Sequence, residues 1–188
     1  MNELMIDCET LGLDEYPVIL TIGAVVFNQS EIVAESYWRI NCALSMKLGF
    51  QVEQSVVDWW DKQLAEAYDE AFNGEEHIED VLHKLTAFYH ENNCENVWSN
   101  GAISDIRWLN NAFKKLGQDS PWKFYQERCF RTLRGIFPKQ TDFIKTGLAH
   151  HALDDAKNQV KYLLQLRTKY SLNGVEDVFG RICELEKS

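Results

Sequence analysis

The chain has 188 residues, and its 19 basic and 29 acidic residues give a formal net charge of −10. Hydrophobic residues make up 45% of the chain and charged residues 26%, which is typical of globular proteins and excludes wholesale disorder. The length predicts one domain over residues 1–188. The acidic balance argues against a histone-like polyanion binder. It leaves open an enzyme whose clustered carboxylates acquire local positive charge by binding metal ions.

The sequence predicts a soluble, cytoplasmic chain. Its longest apolar runs are too short to span a bilayer, and the N-terminus lacks the basic and apolar stretches of a signal peptide. The odd number of cysteines, without CxxC spacing, favours a reducing compartment over a disulfide framework or a zinc knuckle. These cysteines are Cys8, Cys42, Cys94, Cys129 and Cys183.

The first quarter of the chain predicts three strands of an antiparallel meander. They cover Leu4–Cys8, Val18–Phe27 and Ile32–Ile40, and the turn residues Asn28-Gln29-Ser30 separate the last two. A short apolar strand at Val97–Trp98 follows much later in the chain. Strands followed by strand–helix alternation predict an α/β fold with a mixed sheet, antiparallel at first and then parallel, flanked by helices.

Helical periodicity fills most of the remaining chain. Ser55 is the predicted cap of the first helix, which runs through Val56 to Leu64. The other predicted helices cover Leu64–Phe72, Ile78–Tyr89, a segment from Ile103 to Leu116, Thr132–Phe137, a long segment from Ala152, and a short last segment from Leu172 onward.

Acidic residues occupy positions that a packed chain does not favour, first at the end of the first strand. Because side chains alternate along a strand, Asp7 and Glu9 lie on one face, opposite Leu4, Ile6 and Cys8. Two carboxylates on one face repel each other unless a cation lies between them. The pair alone favours a solvated strand end, and a metal site is the alternative interpretation.

Two further acidic sites head predicted helices. Asp105 begins an apolar helical stripe, and the segment His150-His151-Ala152-Leu153-Asp154-Asp155-Ala156 opens the long helix. An acid in a first helical turn interacts favourably with the helix dipole by about 0.3–1 kcal/mol, so each acid alone has a structural explanation. A histidine before a helix and an acid in its first turn can also reach one point beyond the helix end.

Taken together and in order, the three motifs resemble those of the DEDDh 3′–5′ exonucleases of the ribonuclease H-like superfamily. The motifs read Asp7-Cys8-Glu9-Thr10, Asn100-Gly101-Ala102-Ile103-Ser104-Asp105 and the segment from His150 to Ala156. The resemblance spans residues 4 to about 166. Val57-Asp58-Trp59-Trp60 and the stretch Arg128–Leu133 resemble one branch more closely, the phage exonuclease A type and its mycobacterial RNase relative. A phage or prophage origin and a cellular one both stay open.

The resemblance implies hydrolysis of phosphodiesters with two Mg²⁺ or Mn²⁺ ions about 3.5–4 Å apart. Asp7, Glu9 and Asp155 would hold the catalytic ion, and Asp7 would share the second, whose water shell includes Asp105. Hard cations prefer carboxylate oxygen, which agrees with a site of four acids and no cysteine. The histidine of the third motif would accept a proton from the attacking water.

Two adjacent histidines are candidates for that base. Helical i, i+4 spacing pairs His151 with Asp155, whereas the family pattern selects the histidine five residues before the acid, which is His150. Because five helical residues turn about 500°, the family pattern requires His150 to lie in the loop before the helix. We therefore predict His150 as the base, His151 as the alternative, and Asp154 as an ordinary helix-start acid.

The resemblance also implies substrate contacts next to the first motif. Backbone groups of Thr10 and Leu11 would contact the terminal 3′-hydroxyl, and Leu13 would pack against the terminal base. Adjacent tryptophans on a helix cannot both face inward, so Trp59 or Trp60 is a candidate for stacking on a base, a contact worth about 1–3 kcal/mol. Partial burial in a second helical layer is the alternative.

Asn100, Arg128 and Arg131 are further candidates for substrate contact, although the two arginines fit ordinary surface charge equally well. The sequence thus predicts a 3′–5′ exonuclease that converts single-stranded DNA or RNA, or 3′ overhangs, to nucleoside 5′-monophosphates. Its predicted partner is a strand with a free 3′ end. The choice between DNA and RNA and the oligomeric state, including a homodimer, stay open.

Two alternatives come from other functional classes. The first is a non-catalytic module of the same fold that binds nucleic-acid ends, which the presence of all four acids and the histidine disfavours. The second is a zinc-dependent hydrolase that uses His150 and His151, which the absence of HExxH spacing disfavours.

Overall fold

A computed structural model describes residues 1–172, and a mixed five-stranded sheet forms its centre. The strands are β1 (Asn2–Thr10), β2 (Ile19–Phe27), β3 (Ile32–Arg39), β4 (Cys94–Ser99) and β5 (Glu127–Cys129). Their order in the sheet is β3-β2-β1-β4-β5, with β1, β2 and β3 antiparallel and β1, β4 and β5 parallel. The predicted ribonuclease H-like mixed sheet is confirmed, whereas one domain over residues 1–188 stays a prediction.

Seven α-helices connect and cover these strands within the described residues. They are α1 (Cys42–Lys47), α2 (Gln54–Trp60), α3 (Ala65–Phe72), α4 (Ile78–Glu91), α5 (Asp105–Lys115), α6 (Phe130–Ile136) and α7 (Ala152–Tyr170). No helix in this part of the chain combines the length and hydropathy needed to cross a membrane.

Both faces of the sheet are apolar because the central strands are covered on both sides. Every residue of β2 is buried. On one face, Leu4, Ile6 and Cys8 of β1 pack against α4 and α5. On the other face, Met5 packs with the apolar side of α7. The alternation that the sequence predicts for β1 is therefore present, and its acidic face lies under α7.

Helix α2 corrects the prediction made around Ser55. That residue lies inside the helix, and Glu53 occupies the N-cap position without a side-chain capping bond. The helix ends at Trp60 and does not continue to Leu64. The carboxylate of Glu53 accepts a hydrogen bond from the backbone N–H of Leu13, so it is engaged with the loop after β1.

Other boundaries shift because tertiary contacts define them. Helices α5 and α6 begin at Asp105 and Phe130, where the sequence predicts Ile103 and Thr132. Strand β5 and helix α1 are absent from the prediction, since segments of three and six residues show no clear periodicity. Pairing with β4 is what makes β5 a strand. The last helix predicted from Leu172 onward falls on residues outside the described part of the chain.

Candidate active site

The candidate site begins where the apolar part of β1 ends. Asp7 and Glu9 project from the α7 side of the sheet, and Asp7 lies opposite Gly23 of β2. A Cβ atom on Gly23 would lie 2.3 Å from backbone atoms of Ala152 and Leu153. Glycine is therefore required here, because the first turn of α7 rests directly on the backbone of β2. This close approach brings the third motif beside the first.

Asp105 lies beside Asp7 and Glu9 because it begins helix α5, which follows the neighbouring strand β4. Strands β1 and β4 are parallel, so their carboxyl ends lie at one edge of the sheet, and α5 begins shortly after β4. Asp105 is only 6% exposed, and its Oδ1 accepts a hydrogen bond of 3.2 Å from the backbone N–H of Cys8. The mid-chain acid is thus bonded to the backbone between Asp7 and Glu9.

The two histidines of the third motif lie on different sides of the helix start. His150 precedes the N-cap residue of α7 and has a φ of +61°, a left-handed conformation that is uncommon outside glycine. Potential ligand atoms of Glu9, His150 and Asp155 all lie within 4.8 Å of one another. His150 therefore lies in the loop before the helix, as the family spacing requires.

His151 points away from this cluster and anchors the helix. Its Nδ1 accepts a hydrogen bond of 3.3 Å from the backbone N–H of Asp154, which makes it the N-cap of α7. Its Nε2 lies 3.9 Å from Oε1 of Glu70, and its ring packs 4.5 Å from the ring of Tyr37. Asp154 accepts a hydrogen bond of 2.9 Å from the backbone N–H of Leu148 and so ties the preceding loop to the helix.

The carboxylates raise one another's proton affinity. Burial, followed by the negative charges of Asp105, Glu9 and Asp155, raises the pKa of Asp7 well above its usual value, against a hydrogen bond from Gln159. Burial and the charges of Asp155 and Asp105 raise the pKa of Glu9 to about 8. Without a cation, the site therefore retains protons near neutral pH.

Asp105 has a smaller shift because it has more hydrogen-bond donors. Burial raises its pKa to about 6, against backbone N–H groups that include its own and that of Cys8, and against the charge of Arg131. Crowded carboxylates at the end of a strand fit a hard divalent cation, which would replace the retained protons. The donor set Glu9, His150 and Asp155 fits such an ion as well.

The tryptophan pair is divided between core and cleft. Trp60 is 1% exposed, and its indole N–H donates a 3.0 Å hydrogen bond to the carbonyl oxygen of Thr10. The predicted substrate contact of Trp60 is therefore wrong, because no face of its ring is free. Trp59 is 39% exposed, and its ring lies edge-on to His150 with centroids 4.8 Å apart.

The loop after β1 is held in place by neighbouring elements. The backbone N–H of Leu11 donates to Val18 and its carbonyl accepts from Glu53, both at 2.8 Å. The predicted contact of Leu11 with a 3′-hydroxyl is thus restricted to the second lone pair of that carbonyl. Thr10 is 6% exposed, whereas Leu13 is 61% exposed and can meet a ligand.

A pocket of about 940 Å³ is lined by three of the four acids, namely Asp7, Glu9 and Asp155. Asn100 and Arg131 line this pocket together with Asp7, Glu9, His150 and Asp155. The guanidinium of Arg128 instead donates to the carbonyls of Tyr125 at 2.7 Å and Glu127 at 3.0 Å. Arg128 does not line the pocket, and its phosphate contact stays a prediction.

The sequence analysis missed three residues that contact or position the site. Gln159 donates a 2.7 Å hydrogen bond to Oδ1 of Asp7, and Nζ of Lys145 lies 3.4 Å from Oδ1 of Asp155. Gln159 follows Asp155 by four residues, so i, i+4 spacing on α7 is a signal that could have identified it. Lys145 and Gly23 carry no such signal, because only tertiary packing brings them to the site.

Comparisons with known proteins agree with this geometry. The family model of the 3′–5′ exoribonuclease Rv2179c-like domain matches residues 2–166. The nuclease domain of 3′hExo, a DEDDh family member solved bound to rAMP, is 14% identical, with 89% of this chain and 92% of that chain covered at a TM-score of 0.60. Exonuclease X, solved in complex with 5′ overhanging duplex DNA, is 18% identical, with 93% and 96% covered at a TM-score of 0.59. No curated protein sequence matches the chain significantly.

Proposed function

The chain belongs to the 3′–5′ exoribonuclease Rv2179c-like domain family, and from this membership we propose that it removes nucleotides singly from the 3′ end of single-stranded RNA. The chain is a 3′–5′ exonuclease, which disfavours the alternative of a non-catalytic binding module. The resemblance to the DEDDh exonucleases is confirmed. The narrower phage exonuclease A branch stays a prediction.

One observation carries the proposal, namely the convergence of acids that are far apart in the sequence. Asp7 and Glu9 come from β1, Asp105 from the start of α5, and Asp155 from the first turn of α7. Burial, together with the negative charges of Asp155 and Asp105, raises the pKa of Glu9 to about 8. Such crowding costs folding free energy, and a bound divalent cation would offset that cost.

We assign these four acids to two Mg²⁺ or Mn²⁺ ions, by the family resemblance and the chemistry of the donors. When bound, the ions would supply a nucleophilic hydroxide and neutralise negative charge on the phosphate and on the leaving 3′-oxygen. Asp7 is central, because it feels the charges of Asp105, Glu9 and Asp155 together. Gln159 orients one of its carboxylate oxygens through the 2.7 Å hydrogen bond.

We assign the general base to His150. Its loop position lets the imidazole face Glu9 and Asp155 without belonging to the helix. Trp59 lies edge-on to the ring and restricts its rotation. His150 would then accept the proton of the attacking water, a role worth about 10²–10⁴-fold in rate.

The 3′ polarity follows from the family membership, and the wall formed by the loop after β1 favours attack at a chain end. Glu53 accepts hydrogen bonds from the backbone N–H groups of Leu13 and Asp14, and Arg107 donates a 3.0 Å hydrogen bond to the carbonyl of Leu13. A strand that continued past the acids would collide with this fixed loop, whereas a terminal nucleoside can stop there. The exposed side chains of Leu13 and Trp59 provide apolar surfaces for its base.

RNA is the proposed substrate because the family that matches is described as exoribonucleases. Single strands are favoured over blunt duplexes, because the terminal base pair of a duplex must first be separated at a cost of a few kcal/mol. The expected products are nucleoside 5′-monophosphates.

The test uses 5′-labelled RNA and DNA oligomers of one sequence, each free, 3′-phosphorylated, or annealed as a blunt or 3′-overhanging duplex. A circular single strand serves as the control without an end. In Mn²⁺ we expect a descending ladder on free RNA, slower digestion of DNA and of blunt duplex, and an intact circle. Cleavage of the circle, or protection by a 5′ block and not by the 3′-phosphate, contradicts the 3′–5′ assignment.

A metal exchange tests the metal assignment. Removal of divalent ions by a chelator is expected to abolish hydrolysis, and Mg²⁺ or Mn²⁺ is expected to restore it. Zn²⁺ is expected to support little activity, because carboxylate sites are suited to Mg²⁺ or Mn²⁺. Full activity with Zn²⁺ and little with Mg²⁺ or Mn²⁺ would favour the zinc-dependent hydrolase instead.

A further inference from the structure

The segment from Phe130 to Ala149 differs in charge from the rest of the chain. It contains four basic residues, Arg131, Arg134, Lys139 and Lys145, and one acidic residue, Asp142, so its net charge is +3 in a chain of net charge −10. The four basic residues therefore form a local exception to the acidic surface. We call these four residues the basic arm.

The structure places the basic arm on the wall of the pocket that Asp7, Glu9 and Asp155 also line. All four basic residues line it, whereas Asp142 does not. From the acids, the pocket extends along α6 and the segment that connects α6 to α7. Two members lie next to the acidic site: Lys145 lies 3.4 Å from Asp155, and the backbone N–H of Arg131 donates a 3.0 Å hydrogen bond to the carbonyl of Asn100, which also lines the pocket.

Most of the basic arm has no anionic partner of its own. Across residues 1–172, Arg131, Arg134 and Lys139 form no ion pair with a carboxylate. Lys145 is the exception and lies 3.4 Å from Asp155. Three unpaired positive charges around a pocket can bind an anion without first breaking an existing salt bridge.

Aromatic side chains form part of the same pocket. Phe130, Phe137 and Tyr162 are buried, and Phe143 lies partly exposed at the pocket, with its ring centroid 4.8 Å from that of Tyr162. Cationic groups together with an accessible aromatic ring are the combination that binds single-stranded nucleic acid, because phosphates meet the charges and bases stack on rings.

From this arrangement we propose that the basic arm binds the phosphates on the 5′ side of the scissile bond, so that the enzyme prefers oligonucleotides over dinucleotides. The inference rests on the proposed function. With the terminal nucleoside between Leu13 and Trp59 and the scissile phosphate at the acids, the rest of the strand must leave the site along another wall. The pocket beside α6 is a wall with positive charge, and Phe143 is available there to stack on a base.

The experiment compares a dinucleotide with an octanucleotide of the same sequence and measures kcat/KM over about 50–200 mM KCl. A dinucleotide has no phosphate beyond the scissile one and cannot use the basic arm. We expect the octanucleotide to exceed it in kcat/KM by about tenfold at low salt. Because each neutralised phosphate of a single strand contributes about −0.7 to the log–log salt slope, three contacts predict about −2 for the octanucleotide.

The double variant Arg134→Gln/Lys139→Gln tests the assignment to these residues. Removing two contacts is expected to make the octanucleotide slope shallower by about 1.4 and to reduce its advantage over the dinucleotide. The matched control, Lys47→Gln/Lys114→Gln, removes two exposed positive charges that lie outside the pocket. It is expected to retain the wild-type slope and length preference.

Binding of a 5′-labelled octanucleotide, followed by fluorescence anisotropy in EDTA, gives a second measure that needs no turnover. The same difference of about 1.4 in salt slope is expected between wild type and the double variant. Equal slopes for both proteins, or equal kcat/KM for dinucleotide and octanucleotide in wild type, would overturn the inference. If both substrates are cleaved with equal efficiency, the inference about the basic arm is wrong and the proposed exonuclease function still holds. If neither is cleaved with any divalent metal, the proposed function fails.

Discussion

The segment from His150 to Asp155, which contains the first turn of α7, has two sides whose residues are neighbours in the sequence but differ in their surroundings. On the cleft side, His150 and Asp155 face Glu9, where carboxylates crowd and retain protons. On the anchor side, His151 and Asp154 bond to the helix start and to the preceding loop. Adjacent residues of the same type thus have opposite electrostatic environments.

This difference separates residues that stabilise the fold from residues that act on a substrate. Each polar group on the anchor side has a favourable partner, so removing one should cost stability. The acids on the cleft side repel one another, so removing one should cost activity while stability is kept or gained. Local strain points the same way, because the left-handed backbone lies at His150 and not at His151.

The largest effect is expected for Asp7→Ala. We expect hydrolysis to be abolished and the metal-free protein to be as stable as wild type or slightly more stable, because one of several like charges is removed. Single-turnover assays in Mn²⁺ and thermal unfolding in EDTA measure the two quantities. Wild-type turnover, or a variant that is unfolded at ambient temperature, would contradict the assignment of Asp7 as a metal-binding acid of the cleft.

The histidines provide a direct test of the two sides. His150→Asn is expected to lower the rate by roughly 10²–10⁴-fold with little change in metal affinity, as befits a general base that is not a metal ligand. Asparagine tolerates the left-handed conformation of residue 150. His151→Asn is the matched control, since asparagine can also cap a helix, and its effect on rate should be mild.

Rates are to be measured at saturating Mn²⁺, and metal affinity by calorimetric titration. Equal rate losses in the two variants would contradict the choice of His150 over His151. A large loss of metal affinity in His150→Asn would instead make His150 a ligand, together with Glu9 and Asp155.

A smaller effect is expected for Asp154→Ala on the anchor side. The backbone N–H of Leu148 loses its acceptor and α7 loses a first-turn acid, so the free energy of unfolding should fall by about 1–2 kcal/mol. Urea denaturation measures this change. Asp119→Ala is the control, because Asp119 is exposed and its side chain forms no hydrogen bond or ion pair within residues 1–172. If the variant is as stable as wild type but inactive, Asp154 takes part in hydrolysis and does not serve mainly to stabilise the helix start.

The smallest effect is a pH dependence of stability in EDTA. The pKa of Glu9 rises from 4.5 to about 8 in the folded protein, so this group favours folding most when it is protonated. Its contribution is lost as pH rises from about 5 to about 8, whereas Glu9→Gln cannot titrate. The Tm advantage of Glu9→Gln over wild type should therefore grow by several degrees over this interval.

Thermal unfolding of both proteins in EDTA at about pH 5 and about pH 8 checks this expectation. A difference in Tm that is constant with pH, or that shrinks toward high pH, would show that burial and the neighbouring charges do not raise the proton affinity of Glu9. Saturating Mn²⁺ is expected to reverse the order at the higher pH, because wild type offers the ion one more carboxylate.

Local sequence determined much of the fold and the identity of the acids. Alternation along β1 separates Asp7 and Glu9 from Leu4, Ile6 and Cys8, and the structure retains that division. These signals are local because side-chain direction follows from strand geometry alone. For the same reason, segments too short to show a period, such as β5 and α1, could not be predicted.

The tertiary structure alone decided how neighbouring residues of the same type divide their roles. Trp60 is enclosed and bonded to Thr10 while Trp59 borders the cleft, and nothing in the local pattern distinguishes them. Gly23 matters only because α7 crosses β2 at that residue. The basic arm is visible in the sequence as a change of charge, but its place beside the acids depends on α6 and α7 packing against one sheet. Long-range packing sets these relations, since each depends on contacts between residues far apart in the chain.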